Sequence, residues 1–181
     1  MQINLVTKFL LSSLVGLLCL MPLWYYLASW LSTPVIYLAG EVCSTLFHWV
    51  VRYEHIGASG MLVTDLRVIA GQGLAQPGWL APVADFRLHG YGMVMLWSML
   101  LASRPTRLWG KLALGTGVMW ILQAVGVCIQ WLNDVLNQSG PGVLAQVSPP
   151  AWAAEVVAFC FHFNLFIFTA LAPVLLWLTM N

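Results

Sequence analysis

The sequence predicts a polytopic α-helical membrane protein. It should have about four transmembrane helices, an interfacial amphipathic helix and a small three-stranded antiparallel sheet outside the lipid. Three observations predict this fold class. The 181 residues are 61% hydrophobic and only 7% charged, with a mean hydropathy of +0.86, whereas a soluble domain carries about 25% charged residues. Apolar runs of spanning length occur at residues 9–30, 108–135 and 151–180,. Six of the thirteen Lys, Arg, Asp and Glu side chains fall between Trp49 and His89, in a stretch that alternates as strands do,.

The first element is residues 9–30. Lys8 ahead of an apolar run has the look of a signal peptide, but no small-x-small site follows and Leu18 is too large for a lipoprotein site before Cys19,. Residues 1–31 are therefore read as a retained anchor. Ser32-Thr-Pro34 reads as a new helix start, with Thr33 as cap and Pro34 in the first turn. Tyr37, Glu41, Ser44, Thr45 and His48 then recur at three- and four-residue spacing, the polar face of a helix,. Its length and its central Glu41 predict a helix lying at the interface. A second spanning helix here is the alternative.

Residues 32–89 form the extramembrane unit. Strands are expected near 49–56, 61–69 and 84–89, with Gly57-Ala-Ser-Gly60 as the first turn and a loop carrying Gly71, Gly73, Pro77, Gly78 and Pro82 before the third strand,. With Gly57 facing Gly60, Arg52 falls opposite Asp65. An antiparallel third strand then sets Arg87 against Asp65 and Asp85 against Arg67. Every opposition joins unlike charges, which favours that register by about 0.2–1 kcal/mol per pair. Trp49, Val51, Tyr53, Leu62, Thr64, Leu66, Val68, Ala84, Phe86 and Leu88 make up the apolar face. So small a sheet is marginal alone, and the membrane-embedded part is its expected support.

Residues 90–181 are read as a three-helix bundle: a short span at 90–103, then 108–135 and 151–180. Lys8 and the Arg104–Lys111 turn gather cations, so positive-inside reasoning places them and both termini in the cytoplasm, with the sheet outside. Two polar seams run along the later spans. Thr116, Gln123, Gln130 and Asn137 recur every seven residues, as do Glu155, His162 and Thr169, which sets each group on one side of its helix. Facing seams bring Gln130 or Asn133 near Glu155, and Gln123 near His162. Such groups serve either as interhelical hydrogen-bond glue or as a proton or solute path.

Little catalytic chemistry is written into the chain. The net charge of +1 offers no surface for nucleic acid,. Cys19, Cys43, Cys128 and Cys160 lie singly in apolar segments, and no metal-ligand or cofactor motif is formed,. Gly71-Gln-Gly73 lacks the helix and Lys of a phosphate loop. Glu41-Val-Cys-Ser44 invites comparison with membrane cysteine transpeptidases, for which Arg67 and His89 would have to join Cys43. The predicted placement of His89 on the charged face of the sheet argues against that meeting.

Leu88-His-Gly-Tyr-Gly-Met93 leading into Met99-Leu-Leu-Ala-Ser103 resembles a known family. So does Ala151-Trp with Glu155-Val-Val-Ala, Phe163 and Leu171-Ala-Pro-Val-Leu-Leu-Trp-Leu178, along with Pro22-Leu-Trp-Tyr-Tyr26 followed by Pro34. The chain is similar along most of its length to the bacterial exosortase H-associated membrane protein family. The resemblance implies an accessory protein of the bacterial inner membrane. Its partner would be exosortase H, a membrane transpeptidase that processes the C-terminal sorting signals of exported proteins. The resemblance supplies no catalytic residues.

The expected function is thus non-enzymatic. The sheet would present Arg52, Asp65, Arg67, Asp85 and Arg87 at the membrane surface to a partner enzyme or an exported substrate. The rivals are a cysteine peptidase or transpeptidase using Cys43, and a small carrier or proton relay using Glu155 and His162.

Overall fold

The computed structural model describes residues 4–68 and 78–181. The reading of the loop around Gly71, Gly73 and Pro77, and the end of the second predicted strand at Ile69, lie outside the described residues.

Helix α1 runs unbroken from Leu5 to Leu46. At 1.5 Å per residue its 42 residues extend about 63 Å,, twice the hydrocarbon thickness of about 30 Å. No new helix begins at Ser32-Thr-Pro34. Thr33 Oγ1 donates to the Ser29 carbonyl at 3.2 Å, and Ser32 Oγ donates to the same carbonyl at 3.0 Å. The supposed cap residue is thus bonded back along its own helix. Pro34 removes one main-chain bond, but the following turns bury Val35, Ile36, Ala39, Gly40 and Cys43. That packing outweighs the local break. The expected amphipathic pattern survives within this one helix, with Tyr37, Glu41 and Thr45 exposed on the other side.

Strands β1 (Val50–Ile56) and β2 (Ser59–Thr64) form a hairpin. Strands β3 (Arg67–Val68) and β4 (Gly78–Trp79) pair separately as a short ribbon. Strand β5 (Val83–Asp85) completes a three-stranded antiparallel sheet in the order β1-β2-β5. Gly57 takes φ +62°, so the glycine lies inside the two-residue turn rather than beside it,. Ile56 therefore faces Ser59, and Arg52 faces Val63 instead of Asp65. The slip is two residues, so the faces are preserved: Gly60, Leu62, Thr64, Leu66 and Val68 are all buried. Val51 and Leu88 are the exceptions on the predicted apolar face: the register shifts between Val50 and Arg52 and leaves Val51 65% exposed, and Leu88 is 44% exposed,.

The third strand stops early. Asp85 faces Ser59, not Arg67, and its carboxylate accepts the Arg87 backbone N–H at 2.9 Å. That is an N-cap, and helix α2 (Phe86–Ser103) begins at the next residue. Arg87, Leu88 and His89 are helical, so the predicted Asp65–Arg87 and Arg67–Asp85 oppositions do not form.

Helix α3 (Leu108–Asn133) ends in a π-helical turn at Asp134–Gln138, and the short α4 (Pro141–Val147) follows. Helices α5 (Ala153–Phe163) and α6 (Thr169–Met180) are joined end to end by a second π-helical turn, Asn164–Phe168. Among the described residues three helical runs are long and apolar enough to cross a membrane: Leu5–Leu46, Leu108–Gln138 and Ala153–Met180. The 18-residue α2 is not one of them. It packs between α1, α3 and α6.

The sheet rests on the downstream half of α1 and on α3. The Tyr53 ring lies over Gly40, where an added Cβ would meet it at 2.3 Å. A Cβ on Gly60 would meet Ile36 at 2.6 Å and Trp131 at 2.9 Å. Trp131, wholly buried, donates its Nε1–H to the Gly60 carbonyl at 3.1 Å. Ile36, Ala39, Leu62, Ala84, Phe86 and Val127 complete this floor. Burial of each large side chain contributes about 1.5–3 kcal/mol.

The charged sheet face and a buried polar node

The outer side of the sheet carries the charges. Arg52 and Glu54 form the one ion pair among the described residues, at 2.9 Å with side chains 67% and 38% exposed. Such a surface pair is worth about 0–1 kcal/mol. Asp65 and Arg67 are exposed, and among the described residues neither meets a partner of opposite charge. The Arg67 guanidinium lies over the Trp79 ring at 5.0 Å, and Arg87 covers Tyr25 at 4.6 Å. Gln146 of α4 closes the free side of β3. Its Oε1 accepts the Arg67 N–H at 2.9 Å, and its Nε2 donates to the Arg67 carbonyl at 2.8 Å. Strand β1 is the outer strand of its sheet. Below it, Tyr53 Oη donates to Glu41 at 2.6 Å, a bond that raises the tyrosine pKa above its ordinary value,.

Four polar side chains meet inside the helices. His89, 1% exposed, engages Gln130 Oε1 through Nε2 at 2.8 Å and Asn164 Oδ1 through Nδ1 at 3.3 Å. Thr169 Oγ1 donates to the Asn164 carbonyl at 2.7 Å. Gln123 Nε2 reaches the Gly90 carbonyl at 3.5 Å. A cavity of about 10 Å³, room for about one water, lies among His89, Gln123, Asn164 and Thr169. Glycines make the approach possible: a Cβ on Gly126 would meet Asn164 Oδ1 at 2.7 Å and His89 Nδ1 at 2.9 Å. A Cβ on Gly92 would meet the Thr169 carbonyl oxygen at 2.5 Å. That carbonyl is the one Pro173 leaves without a helical donor.

The seam predicted on residues 108–135 therefore faces inward at Gln123 and Gln130, and Thr116 accepts the Trp97 Nε1–H at 2.8 Å. The second seam does not hold together. Thr169 is buried, whereas Glu155 and His162 are exposed, His162 Nδ1 lying 2.7 Å from the carbonyl of Ala158 in its own helix. The π-helical turn between α5 and α6 inserts one extra residue, so the seven-residue spacing changes face between His162 and Thr169,. Gln130 meets His89 in place of Glu155. Asn133 bonds Asn137, which also donates to the Ala154 carbonyl at 3.1 Å. Asn164 and His89 were missed by the spacing argument. A lone amide in the run 156–171 was the available signal.

The three residues of the cysteine hypothesis have separate surroundings. Cys43 is 1% exposed, with its thiol against that of Cys128. His89 is held in the node and Arg67 on the outer ribbon. No hydrogen bond joins any two of them among the described residues. Among those residues no group of three or more His, Cys, Asp and Glu is placed to hold a metal ion.

Long apolar helices, a sheet built on the longest of them and a sealed polar node define a helical membrane protein with a charged platform at one end. The sequence profile of the family described as exosortase H-associated membrane protein matches residues 3–181, and the chain belongs to that family. No curated protein and no solved structure matches it.

Proposed function

We propose that this protein is a non-enzymatic accessory subunit of the bacterial inner membrane that binds exosortase H through its sheet. It crosses the bilayer several times, the short α2 returning the chain between its longer neighbours so that both termini are cytoplasmic, and supports that enzyme's processing of sorting signals on exported proteins. The family description supports the choice of partner. The observation that carries the reading is the outer face of the sheet. It is anchored from below by Tyr53 on Gly40 and by Trp131 on Gly60, while Asp65 and, on the adjoining β3–β4 ribbon, Arg67 are exposed and have no ion-pair partner among the described residues. A rigid base with unpaired charge and an aromatic anchor at Trp79, itself 58% exposed, is what a protein interface requires. The outer side of β1 adds a strand edge to which a peptide can pair.

The test is co-purification of exosortase H with the full chain from mild detergent. Arg67→Glu combined with Trp79→Ser should lower recovery by about tenfold or more and leave the melting temperature of the isolated protein unchanged. Full recovery of the enzyme by that variant would remove the sheet from the interface.

A further inference from the structure

Charge divides this molecule by its ends. All six acidic residues, Glu41, Glu54, Asp65, Asp85, Asp134 and Glu155, belong to the sheet or to the helix ends near it. The opposite end holds Lys8, Arg104, Arg107 and Lys111 and no acid. There the start of α1 and the ends of α2 and α6 enclose a crevice of about 800 Å³, lined by Lys8, Phe9, Ser12, Ser103, Arg104 and Trp177 among others. Phe9 stacks on Trp177 at 4.9 Å between ring centroids, and Trp177 Nε1 donates to Ser103 Oγ at 3.2 Å. Beyond them the groove opens onto Leu10 and Leu14, exposed apolar residues of α1.

Local structure explains these cations only in part. Lys8 and Lys111 lie in the opening turn of α1 and of α3, where the positive end of the helix dipole repels them. Arg104 (φ 47°) and Arg107 (φ 60°) occupy the left-handed region, which glycine adopts freely and arginine does not. Lys8 is opposed by the dipole of its own helix, whereas Arg104 stands at the negative end of α2 and Lys111 Nζ donates to the Met180 carbonyl at the end of α6,. A bound anion offsets the repulsion at Lys8.

We infer that this crevice binds one anionic phospholipid of the surrounding bilayer. Its phosphate lies between Lys8 and Arg104, and an acyl chain follows Phe9 and Trp177 onto the apolar flank of α1. Basic pockets between helices at the membrane surface recognise such headgroups. The apolar wall selects a lipid over a free anion. The inference is independent of the role of the sheet.

Native mass spectrometry of the detergent-purified full chain tests it. The protein is titrated with phosphatidylglycerol, with phosphatidylcholine of the same acyl chains, and with inorganic phosphate. Phosphatidylglycerol should bind in preference. The preference should fall about fivefold with each cation removed in Lys8→Gln, Arg104→Gly and their combination. Arg104→Gly also relaxes the left-handed backbone, so its melting temperature should not drop. In phosphatidylcholine vesicles, added phosphatidylglycerol with brominated chains should quench tryptophan emission, and Trp177→Phe should remove part of that quenching. Equal binding of the two lipids, a preference unmoved by the double variant, or full displacement by inorganic phosphate would each overturn the assignment.

Discussion

The floor beneath the sheet and the polar node lie in one bundle but are sealed by opposite means. Under the sheet, Gly40 and Gly60 admit the rings of Tyr53 and Trp131, and shape does nearly all the work. In the node, His89, Gln130, Asn164 and Thr169 close on one another by hydrogen bonds. The difference teaches where each region is vulnerable. The floor is sensitive to added volume, whereas the node is sensitive to the loss of a partner.

The largest effect is expected where a glycine faces rigid backbone. Gly92→Ala sets a methyl 2.5 Å from the Thr169 carbonyl oxygen and should destabilise the protein by about 3 kcal/mol, the upper part of the overpacking range, in thermal unfolding in detergent. His89→Leu leaves Gln130 and Asn164 without their partner and should cost about 2–3 kcal/mol. Adding Gln130→Leu should recover part of that loss, and a double variant as unstable as the sum of the singles would disprove the coupling. Gly60→Ala should cost about 2 kcal/mol, because the methyl would meet the buried Ile36 at 2.6 Å and the Trp131 ring at 2.9 Å. Glu155→Gln and His162→Gln, both on the outward face, should shift stability by no more than about 0.5 kcal/mol. A larger shift from either would mean that the outward face is packed against something. The smallest effect concerns Tyr53. Its raised pKa means that the bond to Glu41 contributes stability below pH 10.0, which is lost as pH rises through the higher folded value,. Tyr53→Phe should flatten the melting-temperature profile in that alkaline range only.

Much of this arrangement was legible in the residues. Alternation from Met61 to Val68 marked the buried face correctly, and the slip of the hairpin by two residues left that face intact. Apolar length located the three long helical runs. What could not be read was competition between local and distant preferences. Ser32-Thr-Pro34 has the chemistry of a helix start, but burial of Ile36, Ala39 and Cys43 carries α1 through it. Ala84 to His89 continues the alternation of a strand, yet an N-capping Asp85 turns it into helix and carries His89 from the expected charged face into the node. The charge pairs that argued for the register were a coincidence of spacing. On the later helices the sevenfold rule held for Gln123 and Gln130, and it failed for His162 because a π-helical turn is invisible to periodicity.

That turn has a consequence for how the last helical run tolerates change. A wider turn absorbs one extra residue, so excising one residue from 165–168 would restore regular winding and leave the final twelve positions close to their present faces,. Thr169, Pro173 and Trp177 would keep their seats against Gly92 and Phe9, whereas the same excision within the regular turns of α6 would swing every later position by about 100°. A one-residue deletion in the wide turn thus acts as a shortening, and one further on acts as a rotation.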